Sequence, residues 1–182
     1  VQTTRVISDT DELLALLATA HARTDSIVGG DVIDVLSHSL QCAAILRGLA
    51  PQDLELQVAG LVHDIGHLLV PGDAEGHGRH GAEAIRGLLG ERVADLVELH
   101  VPAKRYLVTT NPGYRHALSG GSTHTLTLQG GPMTAEEVRA FEAHPCAADA
   151  LVLRRADEDA KVPHKTVPAL DSWRPTLLLL SR

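Results

Sequence analysis

The sequence predicts an all-α protein, a single helical bundle that builds a metal site from side chains on facing helices. Three observations carry this prediction. Apolar residues recur at helical spacing along most of the chain, no stretch alternates as a half-buried strand would, and capping residues and Gly/Pro stops punctuate the pattern. The first predicted helix covers residues 9–23, with Leu13, Leu16, Leu17 and Ala20 at helical spacing. Residues 24–30 read as a loop, after which Asp31 is placed to cap a helix that carries His38 and ends near Gly48 to Pro51. The next helix spans 52–69, carries His63, Asp64 and His67, and is stopped by Pro71-Gly72-Asp73. A fourth begins around 76–78 and runs to Leu89. A fifth, from Glu91, puts Val93, Leu96, Val97 and His100 on one face, and Pro102 ends or kinks it. Residues 109–132 hold most of the loop signals: Asn-Pro-Gly, Ser-Gly-Gly-Ser and Gln-Gly-Gly-Pro. Thr134 and Glu137 form a capping box that opens another helix, and the last clear helix covers 146–160, with Leu153, Arg154 and Asp157 on neighbouring turns. No repeat or linker divides the chain, so one domain is expected over 1–182, with its core at 31–163 and a tail at 164–182.

Composition narrows the partners. A hydrophobic share of 44% against 21% charged residues is that of a water-soluble globular protein, and with only 2% aromatics the core must be filled by Leu, Val, Ala and Ile. The formal net charge of −7 argues against nucleic acid, whose phosphates need Lys and Arg. It leaves room for a small anion, because metal ions can make one pocket locally positive. Cys42 and Cys146 are too few for a disulfide framework, no apolar run approaches the ~18 residues of a membrane span, and the N-terminal stretch lacks the apolar centre of a signal peptide. A cytoplasmic protein with no membrane partner is the expectation.

The most informative feature is the adjacent pair His63-Asp64 within Leu-Val-His-Asp-Ile-Gly-His (61–67). Neighbouring His and Asp side chains cannot both enter one narrow cleft on a helix, but they can serve two metals lying side by side, the carboxylate shared between them. His38, His77, His80, His100 and Asp157 lie at spacings that could close such a site. A lone histidine on an apolar helix face is ordinarily a packed or surface residue. The set is different: imidazoles and carboxylates without thiolates suit Fe, Mn, Co, Ni or Zn in a catalytic rather than a structural role. His77 and His80 compete for one position. His77 is favoured because it stands one turn before Gly81-Ala82, small residues that let a helix pack closely. Asp157 competes with Glu158 and Asp159, and it shares a face with Leu153 and Arg154.

The ordered pattern His…His-Asp…Asp, with two histidines between, resembles the two-metal branch of the HD-domain superfamily. A closer resemblance lies in His-Ser-Leu-Gln-Cys-Ala (38–43), in 61–67, in His-Val-Pro-Ala-Lys-Arg-Tyr-Leu-Val (100–108), in Thr-Leu-Thr-Leu-Gln-Gly-Gly-Pro-Met (125–133) and in Arg-Arg-Ala-Asp-Glu (154–158). Together these resemble the mixed-valent di-iron oxygenases that cleave the C–P bond of 1-hydroxyphosphonates, the family typified by 2-amino-1-hydroxyethylphosphonate dioxygenase, with myo-inositol oxygenase a distant cousin. The resemblance implies two iron ions, as an Fe(II)/Fe(III) pair, with O2 as co-substrate and a small hydroxyphosphonate as substrate. It places the six metal ligands on His38, His63, Asp64, His77, His100 and Asp157, with Asp64 bridging. It makes His67 a supporting or substrate-contacting histidine, and sets Lys104, Ser122, Thr125, Gln129 and Arg154 around the phosphonate. Asp64, His67 and Lys104 are then the expected catalytic residues.

The chain departs from this family in the loop before its first ligand. Where members carry a gating Tyr and an amine-recognising Glu, this sequence has Val28 and Asp31. Val28 cannot ligate a metal, and Asp31 keeps the negative charge on a shorter side chain. The group next to the hydroxylated carbon of the substrate is therefore open. The alternative reading is a two-metal phosphohydrolase acting on a phosphomonoester or nucleotide, since the same ligands could activate water. A regulatory domain with structural or lost metals is a third class.

Overall fold

A computed structural model describes residues 5–22 and 33–182, and among them every regular element is helical. Helix α1 (Thr10–Ala18) starts at Asp9, whose carboxylate accepts the Glu12 N–H at 2.8 Å, and it continues into a 3-10 turn, Thr19–Ala22. Val28 and Asp31 lie outside the described residues. The expected cap at Asp31 is corrected: α2 (Val35–Leu49) is capped by Asp34, whose carboxylate takes the Ser37 N–H at 2.9 Å and its hydroxyl at 2.7 Å.

The single helix expected over 52–69 is two, α3 (Leu54–Val62) and α4 (Gly66–Leu69). Between them the hydrogen bonds tighten to three-residue steps, Ile65 N–H to Val62 O and His67 N–H to Asp64 O, both 3.0 Å. The cause is the close approach of the next helix, because a Cβ on Gly66 would lie 1.9 Å from the carbonyl oxygen of His77. The His63-Asp64 pair therefore sits in a tightened corner, not on a continuous helix.

α5 (His77–Leu89) and α6 (Glu91–Thr110) are joined through Gly90 at φ +87, a conformation that favours glycine. Pro102 does not end α6. It removes one backbone donor, yet Val101 before it and Ala103, Lys104, Leu107 and Val108 after it are all buried, and their packing carries the helix on to Thr110.

Two short helices occupy the region expected to be loop. α7 (Pro112–Ala117) is capped by Asn111, with proline in its first turn, and α8 (Gly120–Leu128) by Ser119. Two of the three loop signals, Asn-Pro-Gly and Ser-Gly-Gly-Ser, are helix starts. The Gln129-Gly130-Gly131 turn follows, with both glycines at positive φ. α9 (Ala135–Glu142) opens on the expected Thr134/Glu137 capping box, and α10 (Ala147–Asp159) carries Arg154 and Asp157. The tail adds a 3-10 turn, Leu170–Trp173, and α11 (Arg174–Leu180).

α3 is the centre of the bundle: Leu56 through Val62 are all buried, against α2, α6, α10 and α11. α5 lies along α6, and α4 against α5. One contiguous core runs from Ile7 to Leu177, filled mostly by Leu, Val, Ala and Ile. The tail belongs to it, since Trp173 and Leu177 are fully buried and the Arg47 guanidinium lies 3.7 Å over the indole. No helix among the described residues is long and apolar enough to cross a membrane.

Candidate metal centre

Six buried side chains from separate parts of the chain meet beside α3. α2 contributes His38, the corner after α3 contributes His63 and Asp64, the first turn of α5 contributes His77, the middle of α6 contributes His100, and α10 contributes Asp157. They form two groups, His38–His63–Asp157 and Asp64–His77–His100. Asp64 faces both. Its Oδ2 lies 3.6 Å from His38 Nε2 and 3.5 Å from His63 Nε2, and its Oδ1 lies 3.5 Å from His77 Nε2 and 3.7 Å from His100 Nε2. Asp157 Oδ1 is 3.1 Å from His38 Nε2 and 3.8 Å from His63 Nε2. Such separations are the edges of a polyhedron around an ion bonded at about 2.0–2.2 Å to nitrogen and oxygen.

The histidine tautomers make the stronger test. A backbone carbonyl can only accept, and all four Nδ1 atoms face one. His38 donates to Ala160 O (2.9 Å), His63 to Gly60 O (2.9 Å), His77 to Ala74 O (2.8 Å) and His100 to Val97 O (2.5 Å). In the neutral rings every proton is thus on Nδ1, and the Nε2 lone pairs face one another, His38 to His63 at 3.1 Å and His77 to His100 at 2.9 Å. Facing lone pairs repel unless a cation lies between them. A carbonyl on one nitrogen and a metal on the other is the usual state of a ligating histidine. The donor set therefore fits two metal ions.

The electrostatics agree. Burial acts to raise the carboxyl of Asp64, but the surrounding histidines, His63 first, hold it well below the carboxylate range. Asp157 is likewise held well below it, against burial, by Arg154 and His38. Burial and the neighbouring His77 and His63 push His100 well below the usual imidazole value, keeping its Nε2 bare. Burial works to lower His38, yet Asp157 and Asp64 raise it, so the field at its ring favours positive charge.

Above these groups a pocket opens. His67 lines one side, its ring stacked on His77 at 4.0 Å, and burial lowers its pKa to about 4, which keeps it neutral. Lys104, Ser122, Thr125, Gln129 and Arg154 line the other. Lys104 Nζ donates to Thr125 Oγ1 at 2.8 Å. Gln129 gives its amide N–H to Ala74 O at 3.0 Å, the carbonyl that also holds His77, and its Oε1 is buried without a partner. Arg154 spends its donors on Asp157, Glu158, Tyr114 (Nε to the phenol, 2.7 Å) and Ser122 (3.0 Å).

Of the two histidines that compete on spacing, His77 joins a group, whereas His80 turns away to Asp73 Oδ2 at 3.0 Å. Of the three acids, Asp157 joins a group, Glu158 faces Arg154 and Ser122, and Asp159 is exposed. Sequence reasoning misses one residue of the pocket wall, Lys161, which stands past the end of α10, and two that hold Arg154 from behind, Glu158, which the spacing offers only as a ligand, and Tyr114, in a segment with no periodicity to suggest a helix.

The HD domain family matches residues 35–158. The chain is 38% identical over 159 residues, 83% of its length and 80% of the relative's, to the glycine-betaine-forming 1-hydroxy-2-(trimethylamino)ethylphosphonate dioxygenase of Leisingera caerulea. It is 39% identical over 147 residues, 76% of its length and 73% of the relative's, to a hydroxymethylphosphonate dioxygenase of Gimesia maris. An uncharacterized protein, L432, of Acanthamoeba polyphaga mimivirus is 35% identical over 149 residues, 76% of this chain and 68% of that one. With the His-Asp corner, both groups of donors and this similarity in hand, the chain belongs to the HD-domain family, in the company of its phosphonate dioxygenases.

Proposed function

We propose that the protein is an O2-dependent di-iron oxygenase that cleaves the C–P bond of a 1-hydroxyphosphonate. The observation that carries this reading is the pair of donor groups sharing Asp64, which open onto a wall of cations, hydroxyls and an amide. His38, His63 and Asp157 would hold one iron, His77 and His100 the other, and Asp64 would bridge. Iron bound there as an Fe(II)/Fe(III) pair supplies the redox chemistry with O2 and a Lewis acid for the substrate hydroxyl. The overall reaction balances: the hydroxylated carbon and O2 give a carboxylate, inorganic phosphate and a proton.

The protein's own part is binding and orientation. Lys104 donates to the phosphonate oxygens, and the hydroxyls of Ser122 and Thr125 join it by turning their protons from Glu158 and the Gly121 carbonyl to the ligand. Arg154, tied to Asp157, sets the angle of that ligand and presents its remaining donor to the pocket. Gln129 is oriented by Ala74, whose carbonyl takes the amide N–H, so its Oε1 offers an acceptor to the substrate hydroxyl. His67, neutral and stacked on His77, excludes water from one edge of the pocket. Asp31 is assigned to the group beyond the hydroxylated carbon. The two relatives named as dioxygenases differ there, one name carrying a trimethylamino group and the other no further carbon.

Phosphate release from a panel of 1-hydroxyphosphonates by iron-loaded protein, with and without O2, tests the reading. Release only with O2 is expected, and the preferred member of the panel identifies what Asp31 selects. Anaerobic release, or hydrolysis of a phosphomonoester, would replace the oxygenase with the hydrolase alternative.

A further inference from the structure

Lys161 also faces the pocket, and nothing in the ligand set or the resemblance accounts for it. It lines the wall with Lys104, Ser122, Thr125 and Arg154. Its ammonium donates to Ser119 Oγ at 3.1 Å and to Ser122 Oγ at 2.8 Å, and Glu158 Oε1 lies at 3.4 Å. We propose that Lys161 is the second cation that binds the phosphonate of the substrate, held in position by a clamp from α2. The proposal rests on the pocket being the phosphonate site.

The balance of charge supports it. Arg154 is a buried cation of the wall, but its guanidinium already faces two carboxylates, Asp157 and Glu158. It brings little uncompensated charge to a ligand. Without Lys161, Lys104 would face a dianion almost alone. Lys161 brings a second ammonium to this wall, and it reaches the same Ser122 hydroxyl that Arg154 uses. The hydroxyl of Ser122 links the two sides, because it accepts from both Arg154 and Lys161 and donates to Glu158 at 2.9 Å. A lysine can turn one of its three donors from a serine hydroxyl to a phosphonate oxygen without moving its stem.

The second support is the backbone on either side. Ala160 O accepts from His38 Nδ1 at 2.9 Å. Val162 is held at both ends by the amide of Gln41, Nε2 to its carbonyl at 2.8 Å and Oε1 from its N–H at 3.1 Å. Gln41 is buried on α2, one turn beyond His38. The same helix thus orients a metal ligand and fixes the residues flanking Lys161. Solvated surface lysines need no such anchoring.

Binding measured without turnover decides the matter. Iron-loaded wild type, Lys161→Met and Lys161→Arg are titrated anaerobically with hydroxymethylphosphonate and with inorganic phosphate by calorimetry, and their iron content and melting temperature are recorded. Wild type is expected to bind both anions. Lys161→Met should bind each at least tenfold more weakly with iron content unchanged, and Lys161→Arg should recover most of the loss. Wild-type binding that Lys161→Met leaves intact would overturn the role of Lys161 alone. Absence of anion binding by wild type would overturn the phosphonate reading of the pocket and the proposal with it.

Discussion

At Lys104 burial and charge pull in opposite directions. Burial, then the nearby Arg154, lowers its pKa to about 7, although Asp157 and Asp64 act to raise it. Raising the pH through this value removes a positive charge from the pocket, so KM for a phosphonate dianion should rise with pH above about 7. Lys104→Arg, whose guanidinium stays protonated, should flatten that rise. Lys104→Met should lose a charged hydrogen bond of about 1.5–3 kcal/mol, raising KM roughly tenfold or more while iron content holds. An unchanged KM in Lys104→Met would remove Lys104 from substrate binding. The two competing histidines give a second test: His77→Ala is expected to lose iron and His80→Ala to keep it, as metal analysis of the purified variants would show. The proposed ligands were legible because each stands on a strongly periodic helix or in the His-Asp pair. Lys161 and Tyr114 were not, because their positions depend on where the segment after α10 and a short capped helix fold back, which no periodicity encodes. The Gln129 acceptor was equally hidden, since its orientation is set by the carbonyl of Ala74, distant in sequence.

Among the elements, glycines set how closely the helices bearing the proposed ligands approach. A Cβ at Gly66 would strike the backbone of His77, and one at Gly78 would meet the carbonyls of Val97 and Glu98 and the ring of His100 within 3.2–3.3 Å. α4, α5 and α6 are therefore in near-backbone contact where His77 and His100 converge. Gly66→Ala must push the start of α5 away, at a cost on the order of 1–3 kcal/mol or more, and His77 moves with it. Gly87→Ala is the control: it lies within α5 with nothing inside 4 Å of its Cβ, and the gain in helix propensity should stabilise by about 0.5–1 kcal/mol. Thermal unfolding and metal content should both fall for Gly66→Ala, while Gly87→Ala melts higher with its metal intact. A Gly66→Ala protein that melts and binds metal like wild type would contradict this account of the corner. The elements themselves were largely readable from helical spacing and caps. The break at 63–65 was not, because a 3-10 corner keeps nearly the same side-chain spacing as the helix it interrupts. α7 and α8 were misread because Asn-Pro and Ser-Gly open helices as readily as they make turns, and six to nine residues are too few for periodicity to decide.

For the molecule as a whole, the fold gathers four imidazoles and two carboxylates into one buried region, and the contiguous core from Ile7 to Leu177 surrounds it. None of the six side chains gains from burial as an apolar residue would. Their nitrogens and oxygens leave water, and the Nε2 atoms come within 2.9–3.1 Å of one another in pairs. Metal binding must offset this cost, because a folded chain presents the assembled donors and an unfolded one does not. At a free metal concentration about a hundredfold above Kd, one site adds about 2.7 kcal/mol. For a domain of this size each kcal/mol shifts Tm by about 2–4 °C. Iron-loaded protein should thus melt roughly 5–10 °C above chelator-treated protein for each site filled. Acid should erode the difference, since protons compete for the same Nε2 lone pairs. Asp64→Asn discriminates between one shared centre and two independent ones. Asparagine keeps the shape of the side chain but cannot bridge as a charged ligand, so the iron-dependent shift should nearly vanish for both sites together. Retention of half the iron with half the shift would mean that Asp64 serves only the His77–His100 group. A wild-type Tm that iron does not move would mean that these six residues are not a metal centre.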